Sequence, residues 1–412
     1  MPMGVFMRRQ GGKDWLPLSP WLLYRLPYAV IAGVLIGFLV TLFTVEGATT
    51  LVGRLGGDYP AFYGAGRIIA TGDWENLYDL GRQAGEQKPL LGAGQVLYFA
   101  YPPFAALPFG LLAELEYRWS YLLYTLILFA SLLLATHLLR SLSSYVKAHY
   151  WPVVGWMLLF YPLLKAVGGG QNSAITLLLL IGSWWGVTHG RPYLSGLLIG
   201  LLLYKPHFAL PMMLLFLIAG HWRVAAASVA TALCLYGISA WMMGGDWLFQ
   251  WSEQVLRFAA EDAGANAFQN ISWYGLLAGL FGVGISVTIA GIACSVMTFI
   301  YLGWKWWQLR DGDMDLRMAL AAPGVVLITP HTMFYDGSLI LISLVVLIDR
   351  CAPHMGLRML LVFLAGIGHY FAPAIGFSTV FFAVLATAWW SINATASQRS
   401  CAVLGGAGSD GE

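Results

Sequence analysis

Long apolar runs follow one another along nearly the whole chain, and they restrict the possible folds more than any motif does. Of the 412 residues, 59% are hydrophobic and only 10% are charged. A bilayer core about 30 Å thick requires roughly 20 apolar residues per helix, and fewer where neighbouring helices shelter a shorter one. The sequence therefore predicts an all-α, polytopic membrane bundle of about 12 transmembrane helices and excludes an ordinary soluble enzyme.

The first apolar run, residues 27–45, follows a basic flank. We interpret it as a retained signal anchor, because it is longer than a secretory signal core and ends without a small-residue cleavage pattern. Lysine and arginine in short loops mark the cytoplasmic side, so residues 1–25 are predicted to be cytoplasmic. The transmembrane domain is predicted to cover residues 26–392, and the polar segment 393–412 to be a disordered cytoplasmic tail.

Two segments are predicted to form external loops, residues 50–113 and 244–282. In the first loop, Pro102, Pro103 and Pro108 interrupt an apolar stretch. Such a pattern favours re-entrant or surface helices over a full span. In the second loop, the apolar end is expected to lie along the membrane interface.

The same assignment of sides places four polar turns on the external face. They are "GGDYP" (56–60), "GGGQNS" (168–173), "YKPH" (204–207) and "PHTMFYD" (330–336). Irregular backbone at membrane depth is tolerated only where protein or a water-filled cavity covers it. The four turns are therefore predicted to share one cavity, in which ionisable residues are functional candidates.

Charge and cysteine content exclude several other classes of protein. The net charge of +2 gives no indication of a nucleic-acid partner. The four cysteines are scattered without metal-ligand or redox spacing. No Asp-x-Asp pair or His/Glu cluster favours a metal site. Neither a disulfide framework nor a metal centre is expected.

Asp58 is the first acid of the polar stretch after the first helix. Because Tyr59 and Pro60 follow it, Asp58 suits a helix N-cap. It is equally placed to be a carboxylate at the mouth of the external cavity, where desolvation raises the pKa and improves a general base. Both roles are compatible. Arg67, in the same loop, is a candidate partner for a phosphate, although it could instead pair with a loop acid.

The later turns supply the remaining candidates. Lys205, next to a helix-breaking proline, either extends to the interface or binds a phosphate. His331 suits proton transfer or a substrate hydroxyl, although it could be an ordinary interfacial histidine. Amide side chains in the second turn suit sugar hydroxyls, or could cap the turn. The candidate substrate-binding residues are Tyr63, Tyr101, Gln171, Asn172, His207, Tyr335 and Asp336.

Five blocks occur in order along most of the chain. They are "GGDYPAFYGAGRIIATGDWENLYD", "YFAYPPFAALPFGLL", "GGGQNSAITLLLL", "GLLLYKPHFALP" and "PHTMFYD". Together they resemble glycosyltransferase family 87, membrane enzymes of the GT-C fold that include polyprenyl-phosphomannose-dependent α-mannosyltransferases. Each block alone is a weak signal, whereas the ordered set is fairly specific.

This resemblance implies a membrane glycosyltransferase that transfers a sugar, by inversion or retention, from a polyprenyl phosphate to a hydroxyl of a lipid or glycan acceptor. Mannose is the expected sugar, and arabinofuranose is used by some relatives. The resemblance further implies a site on the external face of the bacterial inner membrane, without a cofactor or bound metal. It implies catalytic roles for Asp58, as general base, and for His331. In an inverting member, Lys205 and Arg67 would hold the donor phosphate.

Two other functions fit parts of the sequence. A transporter or flippase of lipid-linked or small polar substrates would also have broken helices. However, no internal repeat is visible, and the polar breaks gather at one face instead of the midplane. A ligase-like transferase using a diphosphate-linked donor would require a large late external loop rich in arginine and histidine. Residues 244–270 contain Arg257 as their one basic residue.

Overall fold

The computed structural model describes residues 20–44, 56–92, 95–350, 352 and 354–406. Within these ranges the regular structure is helical, and one isolated antiparallel bridge joins Asn270 to Met333. The all-α prediction is therefore confirmed for the part of the chain that the structure describes.

The N-terminal part contains one long helix and three shorter ones. Helix α1, Pro20–Thr44, includes most of the expected first span. The segment predicted to be the first external loop contains α2, Tyr59–Ala70, α3, Leu80–Leu91, and α4, Leu107–Leu112. A 3₁₀ turn over Pro103–Ala106 precedes α4. The 3₁₀ turn and α4 fit the proline pattern, because each has a proline in its first turn, where proline is favoured.

The central part contains eight helices among the described residues. They are α5 Tyr117–Leu139, α6 Ser144–Ala148, α7 Tyr150–Leu159, α8 Tyr161–Gly168, α9 Ser173–Thr188, α10 Pro192–Leu201, α11 Pro206–Ile218 and α12 Trp222–Met243. Helices α7 and α8 meet at an angle of 81°. Between α10 and α11 the chain breaks at Lys205, as the sequence predicted, because the residue before a proline disfavours the helical conformation.

The C-terminal part also contains eight helices in the described ranges. They are α13 Trp247–Ala265, α14 Trp273–Phe281, α15 Ile285–Gln308, α16 Met314–Ile328, α17 Ile340–Asp349, α18 Met355–Gly368, α19 Ala372–Ile375 and α20 Val380–Gly406. Helix α13 lies in the segment predicted to be the second external loop. Helix α20 continues through the segment expected to be disordered as far as Gly406, and residues 407–412 lie outside the described ranges.

Four described helical segments are long and apolar enough to cross a membrane. They are Tyr117–Leu139, Trp222–Met243, Ile285–Gln308 and Met355–Ile375. A fifth is obtained if the bent pair α7 and α8 counts as one span. Six further apolar helical segments of 10–17 residues lie in the described ranges. The count of about 12 spans therefore stays a prediction.

Helix α16 lies at the centre of the bundle. From Met314 to Ile328 its side chains are buried, with Asp315 partly exposed. By contrast, α12, α15 and α18 expose many large apolar side chains, as lipid-facing helices do. The C-terminus of α16 leads directly into the "PHTMFYD" turn, so the most buried helix holds one of the four polar turns in place.

Candidate functional site

The "GGD" and "GGGQ" turns pack backbone against backbone. The Asp58 amide donates a 3.0 Å hydrogen bond to the Gly169 carbonyl. Gly57 and Gly170 have φ angles of 54° and 68°, which L side chains rarely adopt. A Cβ at Gly57 would lie 2.9 Å from Gly169 Cα, and one at Gly170 would lie 2.7 Å from Tyr59 Cβ. The glycines therefore allow two sequence-distant turns to meet.

Asp58 takes the N-cap position of α2, but its side chain makes no capping hydrogen bond. Instead, Gln171 Nε2 donates to Asp58 Oδ2 at 2.7 Å. The carboxylate is thus oriented towards the second polar turn and not towards its own helix. Capping alone does not explain this side chain.

Lys205 and Asp336 form a buried ion pair between the third and fourth turns. The distance from Lys205 Nζ to Asp336 Oδ1 is 2.6 Å, and the side chains are 3% and 4% exposed. Ser173 Oγ donates to the same oxygen at 2.8 Å, and the ammonium lies 5.6 Å from the centre of the Tyr335 ring. Lys205 therefore does not extend to solvent, and Asp336 compensates its charge.

Tyrosines and amides connect the two carboxylates. The Tyr101 hydroxyl is in hydrogen-bonding contact with the Asn172 side chain, and both Asp58 and Asp336 act on it electrostatically. Burial raises the pKa of Tyr101 well above its usual value, so the hydroxyl stays protonated. The Tyr204 hydroxyl also reaches the Asn172 carbonyl at 3.3 Å. We call Asp58, Tyr101, Gln171, Asn172, Ser173, Tyr204, Lys205, Tyr335 and Asp336 the polar cluster.

Several polar atoms in and beside the polar cluster have hydrogen-bonding capacity that the described protein does not use. Gln171 Oε1, Asn172 Oδ1 and His207 Nε2 are buried without a partner among these residues. Most buried polar groups in proteins are paired. Two acceptor oxygens and one imidazole nitrogen in one region can serve the hydroxyl or phosphate groups of a ligand.

His331 lies beside the polar cluster and contacts α13. Its Nδ1 is 3.5 Å from Asp262 Oδ2, and its ring centre is 5.0 Å from that of Phe258. Burial lowers the pKa of His331, while Asp262 and Asp336 oppose that shift. The imidazole is therefore neutral near pH 7. The ring lies close enough to His207 for the two imidazoles to interact electrostatically when His331 is protonated, so the two histidines are neighbours.

Two candidates from the sequence bond to residues outside the polar cluster. Arg67 donates to the Ala113 carbonyl at 3.3 Å and lies 3.7 Å from Glu86. These contacts match the alternative prediction for Arg67, in which it pairs with an acid of the loop. The Tyr63 hydroxyl donates to the Leu115 carbonyl at 3.0 Å. The structure thus assembles the other candidates and directs these two elsewhere.

Sequence reasoning missed Ser173, Tyr204 and Asp262. Ser173 and Tyr204 lie inside two of the four polar turns, so their position in the sequence could have identified them. Asp262 lies on α13 in a helical spacing with Trp251 and Phe258, and that spacing indicates one face of a helix. Within the described ranges, no group of three or more metal-ligating side chains is arranged to hold a metal ion.

The fold and the polar cluster define a helical membrane protein with a buried, carboxylate-containing site where its polar turns meet. More particularly, the chain belongs to glycosyltransferase family 87, whose model matches residues 99–330, more than half of its length. The matched region contains Gln171, Asn172 and Lys205. Asp58 precedes it and His331 follows it, so the geometry alone connects these two residues to the site.

A relative from another organism is similar over a shorter region. The chain is 28% identical over 185 residues to an alpha-(1->3)-arabinofuranosyltransferase of Corynebacterium glutamicum. The alignment covers 42% of this chain and 43% of that relative. No solved structure matches the chain.

Proposed function

We propose that this chain is an integral membrane glycosyltransferase that transfers a sugar from a polyprenyl-phosphate donor to a hydroxyl of a lipid or glycan acceptor. Family membership supports the class of reaction. The observation that carries the assignment of residues is the Asp58 carboxylate, which Gln171 orients beside the buried pair of Lys205 and Asp336.

Asp58 acts as the general base in this proposal. As the acceptor hydroxyl oxygen attacks the anomeric carbon, its proton passes to the Asp58 carboxylate. The bond from the anomeric carbon to the phosphate oxygen breaks, and its electron pair leaves with the polyprenyl phosphate. Since phosphate is already a good leaving group, orientation of the acceptor supplies much of the rate enhancement. The 2.7 Å hydrogen bond from Gln171 orients the Asp58 carboxylate that receives the proton.

Lys205 is the proposed partner of the donor phosphate. An ammonium group has three donors, and its bond to Asp336 uses one of them. Asp336 holds the lysine in place and is itself held by the Ser173 hydroxyl, so phosphate binding needs little reorganisation of the site. Arg67 contacts Glu86 and the Ala113 carbonyl. Because these contacts occupy its guanidinium group, a phosphate-binding role has less support for Arg67 than for Lys205.

His331 and the amides are proposed to contact the sugars. A neutral imidazole can accept a proton from a hydroxyl group, and Asp262 helps to orient the ring. Asn172 and His207 contribute the unused polar atoms described above. The substrate hydroxyls of an aldose provide suitable partners for both.

The site is proposed to face the exterior of a bacterial plasma membrane, within a GT-C-type bundle of about 12 spans. The distribution of lysine and arginine over the short loops supports this orientation. Mannose is the first expectation for the sugar. The name of the Corynebacterium relative supports arabinofuranose as a second candidate, so a test must include both donors.

The decisive experiment compares the wild-type protein with Asp58→Asn. Each purified protein is incubated with polyprenyl-phosphate mannose or polyprenyl-phosphate arabinofuranose and a lipid extract, and new glycosides are identified by mass spectrometry. Asparagine keeps the shape of the side chain and can still accept the Gln171 bond, but it is a far weaker base. We expect at least about a 100-fold loss of turnover.

Asp311→Asn is the matched control, because this aspartate is 89% exposed and pairs with Arg310. It should retain wild-type turnover. Substantial turnover in Asp58→Asn would contradict the role of the base. Movement of the donor lipid across vesicles without a new glycoside would instead favour a transporter or flippase.

A further inference from the structure

We infer that a separate external cavity binds the carbohydrate part of the acceptor; this inference rests on the proposed glycosyltransferase function. The cavity lies between the first external loop and α13 and has a volume of about 180 Å³. Since one water occupies about 30 Å³ in the liquid, the space exceeds a single-water void severalfold. Its lining includes Glu75, Tyr78, Asp79, Glu253, Gln254 and Arg257.

Gln254 is the residue that distinguishes this cavity from an ordinary acidic surface. It is only 2% exposed, it lines the cavity, and its Nε2 has no hydrogen-bond partner among the described residues. A buried amide without a partner costs free energy, whereas leucine at this position would cost none. An amide offers a donor and an acceptor, and rotation of its terminal torsion presents either one to a ligand.

The charges of the lining select the chemistry of that ligand. Glu75, Asp79 and Glu253 are negative and Arg257 is positive, so the lining repels a phosphate-bearing donor. Carboxylates accept hydrogen bonds from hydroxyl groups, which favours a neutral polyhydroxy compound. A metal ion is disfavoured, since no suitable group of three ligating side chains exists within the described ranges.

The cavity is connected to the polar cluster through one residue. The Tyr78 hydroxyl, in the cavity wall, donates to the Tyr101 carbonyl at 2.7 Å, and the Tyr101 side chain belongs to the polar cluster. Helix α13 rests on the same segment, because Trp251 Nε1 donates to the Ala100 carbonyl at 3.0 Å. An acceptor glycan held in the cavity would therefore lie next to the site of transfer.

Direct binding tests this inference without requiring turnover. Methyl α-D-mannopyranoside and methyl α-D-arabinofuranoside are titrated onto the detergent-solubilised full chain, and binding is followed by saturation-transfer NMR. We expect the wild type to bind one of them and Gln254→Leu to bind it at least about tenfold more weakly. Gln254→Met provides a second variant of similar length in case Gln254→Leu does not fold.

Three further variants locate the binding. Gln308→Leu, at the end of α15, is the matched control and should bind like the wild type. Glu253→Gln keeps a hydrogen-bond acceptor but removes the charge, so it should weaken binding of a neutral glycoside only a few-fold. Asp58→Asn should also bind normally, because the cavity is distinct from the polar cluster.

The inference is overturned if the wild type binds neither glycoside, or if Gln254→Leu and Gln254→Met bind as tightly as the wild type. Loss of binding in Asp58→Asn would place the sugar in the polar cluster and also overturn it. Failure of the glycosyltransferase proposal is recognised separately, by the turnover assay. Binding of a methyl glycoside does not require the Asp58 base, so the two proposals can fail independently.

Discussion

Two ionic regions of the molecule have nearly the same bond lengths but very different surroundings. In the outer ion cluster, formed by Asp73, Arg82 and Glu86, Arg82 lies 2.7 Å from Asp73 and 2.6 Å from Glu86. In the polar cluster, Lys205 lies 2.6 Å from Asp336. The Arg82 side chain is 33% exposed, whereas that of Lys205 is 3% exposed.

Burial, and not distance, therefore separates an ordinary ion pair from a functional candidate. Hydrogen bonds from Asn76 and Arg82 lower the pKa of Asp73, but water screens its charge and limits the contribution to stability. A buried pair has lost its hydration and persists only where the surrounding groups hold it. Such a cost is tolerated where the charges serve a function.

The largest effect on stability is expected for Lys205→Met. This change leaves Asp336 buried without its cation, which should cost about 3–5 kcal/mol. The double variant Lys205→Met with Asp336→Leu should recover much of that loss, because no charge then stays buried. Denaturant unfolding in detergent micelles measures both. Arg82→Met in the outer ion cluster is the comparison and should have a much smaller effect; equal losses for Lys205→Met and Arg82→Met would contradict the contrast between the regions.

A smaller effect is expected for Gly170→Ala, with Gly72→Ala as the control. Both glycines have a positive φ, 68° and 74°, so both substitutions cost about 1–2 kcal/mol in backbone strain. A Cβ at Gly170 would also meet Tyr59, whereas nothing lies within 4 Å of one at Gly72. The extra contact should add about 1–3 kcal/mol to the unfolding free energy lost. Equal losses of unfolding free energy in Gly170→Ala and Gly72→Ala would mean that the first and second polar turns can move apart at little cost in free energy.

The smallest effect concerns the pH dependence of stability. Burial lowers the pKa of His331 in the folded chain, while the unfolded value is about 6.5. Between these values the unfolded chain binds more protons, so stability falls as the pH drops below about 6.5 towards the folded pKa. His331→Gln should flatten this part of a plot of thermal midpoint against pH. An unchanged slope would show that His331 does not titrate as its surroundings indicate.

Much of the candidate site could be predicted from the sequence. Counting basic residues in loops predicted four polar turns on one side, and the structure brings these turns into contact through Asp58 with Gln171, Ser173 with Asp336 and Lys205 with Asp336. The break at Lys205 also followed from the proline after it. Such local features are predictable because they depend on neighbouring residues.

The pairing of side chains could not be predicted in the same way. Lys205 and Asp336 are 131 positions apart, and the sequence allowed the lysine either to extend to the interface or to bind a phosphate. Arg67 had a phosphate or a loop acid as its alternatives, and it lies against Glu86. Helix α13 was expected only as loop, although its spacing of Trp251, Phe258 and Asp262 was visible.

The sequence by itself determined an all-α chain rich in apolar helices and the polar turns that interrupt them, because hydrophobicity, proline and glycine act locally. Only the tertiary structure decided which turn meets which, which charges lose their water, and that Asp58 faces Gln171 instead of capping its helix. The physical reason is that burial and long-range pairing depend on packing between distant segments, and these interactions separate the polar cluster from the exposed charges of the outer ion cluster.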